Sequence, residues 1–92
     1  MHIYCVLVVC QPFFLKTDGK KVESGFFRNE YVMAPSVEKA IAVAKARTLR
    51  KMRRIQIEMI EDKPMQVGVD EIKTRVPISR LLRDEGFLFF PV

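Results

Sequence analysis

The chain has 92 residues, of which 49% are hydrophobic and 10% aromatic, so its composition excludes a disordered or fibrous protein. This length predicts one domain, residues 1–92, with a modest core. The 16 basic and 11 acidic residues give a net charge of +5. No apolar stretch approaches the roughly 20 residues of a membrane-spanning helix, and we expect a cytoplasmic protein.

The chain opens with an apolar run, Ile3 to Cys10, which predicts a first strand. A strand with one wet face would alternate polar and apolar residues, so this run should be covered on both faces. Its cysteines, Cys5 and Cys10, would lie about 16 Å apart on opposite faces, beyond the roughly 7 Å that a disulfide spans. We predict two buried thiols. Because His2 is the only histidine, we predict no metal site and no cofactor.

The dipeptide Asp18-Gly19 predicts a hairpin turn, because both residues tolerate positive φ. The returning strand should run to about Met33. Ideal pairing about this turn would place Val6 opposite Tyr31.

Pro12 and Gly25 indicate an irregularity in this hairpin. Proline has no N–H to donate to the ladder, and glycine inside a strand often marks a bulge. We therefore expect a bulge or an edge near these two residues.

The segment from Ser36 to Arg54 predicts the single long helix. Ser36 is a good N-cap, and Pro35 before it marks a boundary. At helical spacing, one face carries mostly small apolar residues: Val37, Ala40, Ile41, Ala44, Thr48 and Met52. The far side is basic, with seven Lys or Arg residues and no acidic residue from Lys39 to Arg54. These seven charges, subtracted from the net +5, leave −2 for the remainder of the chain.

Three further segments follow the helix. Alternation predicts a third strand over Ile55–Met59 and a short fourth strand over Met65–Val69, while Ser79–Arg83 favours one helical turn. The very apolar Phe87–Phe90 ends the chain as a strand or arm. The predicted fold class is α+β, with an antiparallel or mixed sheet of four to five strands and one helix on one face. The order β-β-α-β-β would be partly ferredoxin-like.

One helix can cover only one face of this sheet, so the other face needs a cover. The segment Phe87–Phe90 could complete the core of the monomer, or a second copy could pack sheet to sheet or edge to edge. We favour the homodimer, because small domains often need additional burial. The candidate interface residues are four phenylalanines: Phe26, Phe27, Phe87 and Phe89.

Six short sequence motifs, distributed over most of the chain, form a recognisable combination. They are Asp18-Gly19, Gly25-Phe26-Phe27, Tyr31-Val32-Met33-Ala34, Ser36-Val37-Glu38-Lys39-Ala40, Val69-Asp70-Glu71-Ile72 and Gly86-Phe87-Leu88-Phe89-Phe90-Pro91. In these motifs the chain resembles a group of small uncharacterised bacterial α+β proteins. It differs from that group at Met33, where members carry Glu, and at Val37, where they carry Pro. The resemblance implies the α+β fold and no particular activity.

The sequence offers no arrangement typical of catalysis, so we predict a non-enzymatic protein. His2 is the only histidine, and the carboxylates of Glu58, Glu61 and Asp62 fall on a solvated strand face or in a turn. The isolated glycines lack phosphate-binding spacing.

The basic helix face is the remaining chemical feature, and its candidate contact residues are Lys39, Arg47, Arg50, Arg53 and Arg54. A guanidinium stripe suits phosphates, so RNA is one partner, and an acidic protein is another. A third interpretation is that the basic face is only solvated and binds no partner, since the helix dipole favours cations near its C-terminus whatever the function. Our first hypothesis is a small assembly or protein-interaction module that homodimerises through its sheet. The alternative is an RNA-binding accessory protein.

Overall fold

The computed structural model describes residues 1–92. Five strands, one α-helix and one 3-10 turn follow each other along the chain. They are β1 (His2–Thr17), β2 (Lys20–Ala34), α1 (Val37–Met52), β3 (Ile57–Glu58), β4 (Gln66–Lys73), the 3-10 turn Ile78–Arg80, and β5 (Leu88–Pro91).

All five strands form one sheet, in which neighbouring strands are antiparallel. The predicted α+β class is confirmed. The predicted β-β-α-β-β, partly ferredoxin-like layout is wrong, because the path through the sheet is β3-β1-β2-β5 and β4 also pairs with β1. The reason is the length of β1, whose 16 residues accommodate both β3 and β4 along one edge. On the other side, β5 extends the sheet from β2.

The β1–β2 hairpin turns at Asp18 and Gly19, which have φ of 51° and 75°, as the sequence predicts. The expected bulge is also present, because the register shifts between Cys10 and Phe13, where Gln11 and Pro12 oppose Gly25. The Gln11–Pro12 peptide is cis.

The bulge changes the pairing of the remainder of the hairpin by one residue. Val6 lies opposite Glu30, so the predicted pairing of Val6 with Tyr31 is wrong. A one-residue slip exchanges the two faces of a strand. Arg28 and Glu30 therefore share the face of Val8 and Val6.

Helix α1 begins after Ser36, whose hydroxyl accepts a hydrogen bond from the Lys39 N–H at 3.3 Å. It ends at Met52, two residues before the predicted end at Arg54. Its buried residues are Ala40, Ala44, Thr48 and Met52, all on the predicted apolar face. The small side chains let the helix lie close to the sheet, over a core that includes Val6, Val8, Cys10, Phe13, Phe26 and Val32.

The elements after the helix differ in length from the prediction. The third strand is limited to Ile57–Glu58, whereas β4 continues to Lys73. Each strand is as long as the stretch of β1 that it can pair with, which a local pattern does not encode. No helix combines the length and the apolar character needed to cross a bilayer.

Candidate functional site

Residues 74–87, which we call the strap, run across the sheet face opposite α1 as far as the edge of β2. There Asp84 and Phe87 reach the helix side of the sheet. At one end of the strap, the Val76 N–H donates a hydrogen bond to the Ile3 carbonyl on β1 at 3.2 Å. At the other end, Glu85 accepts hydrogen bonds from Asn29 and Tyr31 of β2, at 2.9 and 2.7 Å. The strap thus spans the sheet from β1 to β2 and encloses a cavity of about 490 Å³ against it.

The floor of this cavity comes from the two central strands. Cys5 and Leu7 of β1 lie beside Tyr31 and Asn29 of β2, their direct partners in the ladder. The Cys5 thiol donates to the Asn29 side-chain oxygen at 3.5 Å. Because Asn29 also donates to Glu85, one hydrogen-bonded chain runs from the thiol to the strap.

Burial and this hydrogen bonding perturb three groups of the cavity. Desolvation raises the pKa of the Cys5 thiol, which keeps it protonated. Desolvation, together with the hydrogen bond to Glu85, raises the pKa of Tyr31 to about 12. The hydrogen bonds from Tyr31 and Asn29 lower the pKa of Glu85, which stays ionised.

The rim of the cavity is charged. Lys73 and Glu71 come from β4, and Arg80 comes from the strap. None of these three side chains forms an ion pair, whereas Glu85 lies 3.7 Å from Arg83. The cavity therefore has two cations that no carboxylate of the chain contacts directly.

A second polar cluster lies under the helix, on the other face of the sheet. Arg28 and Glu30 are only 2% and 3% exposed, and the Arg28 Nε lies 2.6 Å from Glu30. The other Glu30 oxygen is 3.3 Å from Lys51, and the Thr48 hydroxyl donates to Glu30 at 3.5 Å. Arg28 also pairs with Asp84 of the strap at 2.8 Å. This cluster joins sheet, helix and strap, and sequence reasoning missed it.

The signal for the buried cluster lies in the sequence of β2, where Arg28 and Glu30 alternate with Phe27, Asn29 and Tyr31. The pattern alone does not say which set faces the helix. The register decides it, and the bulge at Pro12 sets the register.

The predicted basic contact residues are not one continuous surface. Lys39, Arg50, Arg53 and Arg54 are exposed. Arg47 is half-buried and donates to the Tyr31 carbonyl at 3.1 Å, so it does not join the others. Arg50, Arg53 and Arg54 form no ion pair.

The four predicted interface phenylalanines divide between the two faces of the sheet. Phe26 is fully buried, with Phe87 and Phe89 at ring-centroid distances of 4.8 and 6.1 Å. Phe26 and Phe87 belong to the core on the helix side, whereas Phe89 is 38% exposed at its margin. Phe26 therefore has no surface for a second copy. Phe27 lies on the opposite face, where its ring is 4.9 Å from Phe90.

Beyond the strap, the face opposite the helix remains open. The register places five apolar side chains on this part of the face, and we call them the apolar patch: Leu7, Val9, Phe27, Leu88 and Phe90. Four of them are half-buried, and Leu88 is 70% exposed.

Comparison of the chain with protein-family models, with curated proteins and with solved structures finds no match. No group of three or more His, Cys, Asp or Glu side chains is placed to hold a metal ion.

Proposed function

We propose that the protein is a non-enzymatic interaction module that forms a homodimer through the apolar patch. The observation that carries this proposal is the open sheet face, where Leu88 is 70% exposed beside Phe27 and Phe90. Only 19 of 92 residues are buried in the monomer, so covering this face would add substantially to a thin core.

A second copy is the partner that best fits the chemistry of the patch. Its five side chains carry no charge and no hydrogen-bonding group, so nothing in it selects a charged or polar partner. A patch related to itself by a two-fold axis meets an identical apolar surface. Both copies would then bury the uncharged side chains of Leu88 and Phe27 against each other.

Replacing Leu88 with lysine tests the proposal. The side chain is exposed in the monomer, so the fold should tolerate Leu88→Lys, while two lysines would meet across the dimer. We expect a dimer for the parent chain and a monomer for the variant in sedimentation equilibrium at high micromolar concentration. Leu82→Lys is the matched control, because Leu82 is 98% exposed and lies outside the patch. A monomeric parent chain would contradict the proposal.

A second candidate function is RNA binding, which the unpaired guanidinium groups of Arg50, Arg53 and Arg54 favour. Such contacts would go to phosphates and would weaken with salt. Arg53→Glu with Arg54→Glu should abolish retention on heparin and on RNA. The charge-matched Lys16→Glu with Lys20→Glu should not, because both lysines are exposed on the β1–β2 hairpin, away from the helix. Equal retention of both double variants would exclude this surface.

A further inference from the structure

We infer that the cavity beneath the strap is a binding site for a small organic monocarboxylate. The inference does not rest on the proposed dimer, because the cavity and the apolar patch share only Leu7. Its basis is the pair of cations, Lys73 and Arg80, which line the cavity from opposite elements without forming an ion pair.

The two cations differ in what they offer a ligand. A guanidinium presents two parallel N–H groups that match the two oxygens of a carboxylate, and an ammonium adds a compact charge. Lys73 is fixed on β4 opposite Cys5, and Arg80 belongs to the 3-10 turn of the strap. A carboxylate between them would connect the strap to the sheet.

The remaining acidic groups limit the charge of the ligand. Glu85 is already occupied, since it accepts hydrogen bonds from Tyr31 and Asn29 and lies near Arg83. Glu71, next to Lys73 on the rim, forms no ion pair, and its negative charge offsets one of the two cations. The lining therefore has no surplus of positive charge for a second anionic group. The site therefore suits one carboxylate rather than a dicarboxylate or a phosphate.

The size and the walls of the cavity define the rest of the ligand. About 490 Å³ lies within the range of small-molecule sites, which is roughly 300–1,000 Å³. The apolar walls come from Leu7, Val76 and Pro77. They would contact a compact apolar body, such as an aromatic ring or a short branched chain.

Benzoate is a suitable probe, and benzamide is its neutral counterpart of the same shape. We expect benzoate to bind with millimolar affinity in a titration followed by amide NMR shifts, with the largest shifts at Cys5, Tyr31 and Arg80. Benzamide should bind about tenfold more weakly or not at all, because it brings no negative charge to the two cations.

Arg80→Gln removes the guanidinium while keeping most of the side chain, and should weaken benzoate binding about tenfold. Arg53→Gln is the control, since it removes an exposed charge outside the cavity and should leave the affinity unchanged. An unchanged amide spectrum away from the cavity verifies that each variant is folded. The inference fails if benzoate shifts no cavity amide, if benzamide binds equally well, or if Arg80→Gln binds like the parent.

Discussion

Gly25 shows how a single residue permits the irregular hairpin. A Cβ at this position would lie 2.8 Å from the Cys10 carbonyl oxygen and 2.6 Å from the Phe90 ring. The ring could turn away, but the carbonyl belongs to the backbone of the bulge. Gly25 therefore allows the close approach of β1 and β2 opposite Pro12.

Gly25→Ala should destabilise the protein by about 1–3 kcal/mol, because the added methyl group overpacks the bulge. The midpoint of urea unfolding measures this change. Gly68→Ala is the matched control, since its nearest neighbour would be a Val9 methyl group at an ordinary 3.7 Å. If the two variants unfolded at the same urea concentration, the close contact at Gly25 would not affect the free energy of unfolding.

Glu30 is the residue whose role was hardest to predict. The sequence predicts both the turn and the bulge, but ideal pairing about the turn places Val6 opposite Tyr31, one residue away from its actual partner Glu30. Because side chains alternate along a strand, a shift of one residue decides whether Glu30 faces the helix or the opposite side of the sheet. The sequence indicates that Glu30 lies in β2, but not that its side chain is buried. Its burial depends on which of the two strands carries the extra residue of the bulge.

Glu30→Gln should destabilise the protein by roughly 3 kcal/mol, because it leaves Arg28 and Lys51 with only Asp84 as a charged partner. The control is Glu23→Gln, which breaks a solvent-exposed pair with Lys63 and should cost no more than about 1 kcal/mol. Chemical denaturation of both variants measures the difference. Similar losses would show that the buried cluster contributes no more than a surface pair.

Among the elements, the helix was the most predictable and the sheet edges were the least. Helix α1 has its own local signals, namely the Ser36 cap and an apolar stripe at helical spacing. Strands β3 and β5 have two and four residues, and each exists only where a distant strand offers a free edge. The cavity depends on the strap crossing the sheet, which likewise has no local signature.

The strap should loosen in acid. Hydrogen bonds from the Gly86 N–H and from Arg28 lower the pKa of Asp84 below its ordinary 3.8, and Tyr31 and Asn29 lower that of Glu85 below 4.5. A carboxylate whose pKa is lower in the folded state stabilises that state above its unfolded pKa. This stabilisation is lost as the pH falls through the folded pKa, so the strap contacts should weaken below about pH 4.

Hydrogen exchange measures this loosening. Protection of the β2–β5 amides should fall between about pH 5 and pH 3, while amides in the middle of α1 keep theirs. Asp84→Asn with Glu85→Gln should remove most of this pH dependence, because neither side chain then titrates. Equal loss of protection in α1 and β5 would indicate global unfolding instead.

At the scale of the whole molecule, one helix and the strap are the elements that cover the two apolar faces of the sheet. Helix α1 covers one face, and the strap covers part of the other with residues of the same chain. Phe87 and Phe89 pack against Phe26 on the helix side. The sequence interpretation instead assigns the segment Phe87–Phe90 to the face opposite the helix. The apolar patch meets the cavity at Leu7 and otherwise lies on the part of this face that the strap leaves open. The sequence argument that the face opposite the helix needs a cover therefore applies only to this part.

If a second copy covers this patch, the stability of the protein must depend on its concentration. Dimerisation stabilises the folded state by mass action, and an approximately hundredfold rise in protein concentration is worth about 1.4 kcal/mol per chain. For a chain of this size, 1 kcal/mol corresponds to about 4–8 °C in Tm. The Tm of the parent chain should therefore rise by roughly 5–10 °C over that range in calorimetry, while the Tm of Leu88→Lys stays constant. A parent Tm that is independent of concentration, with a monomer throughout, would mean that the patch faces water.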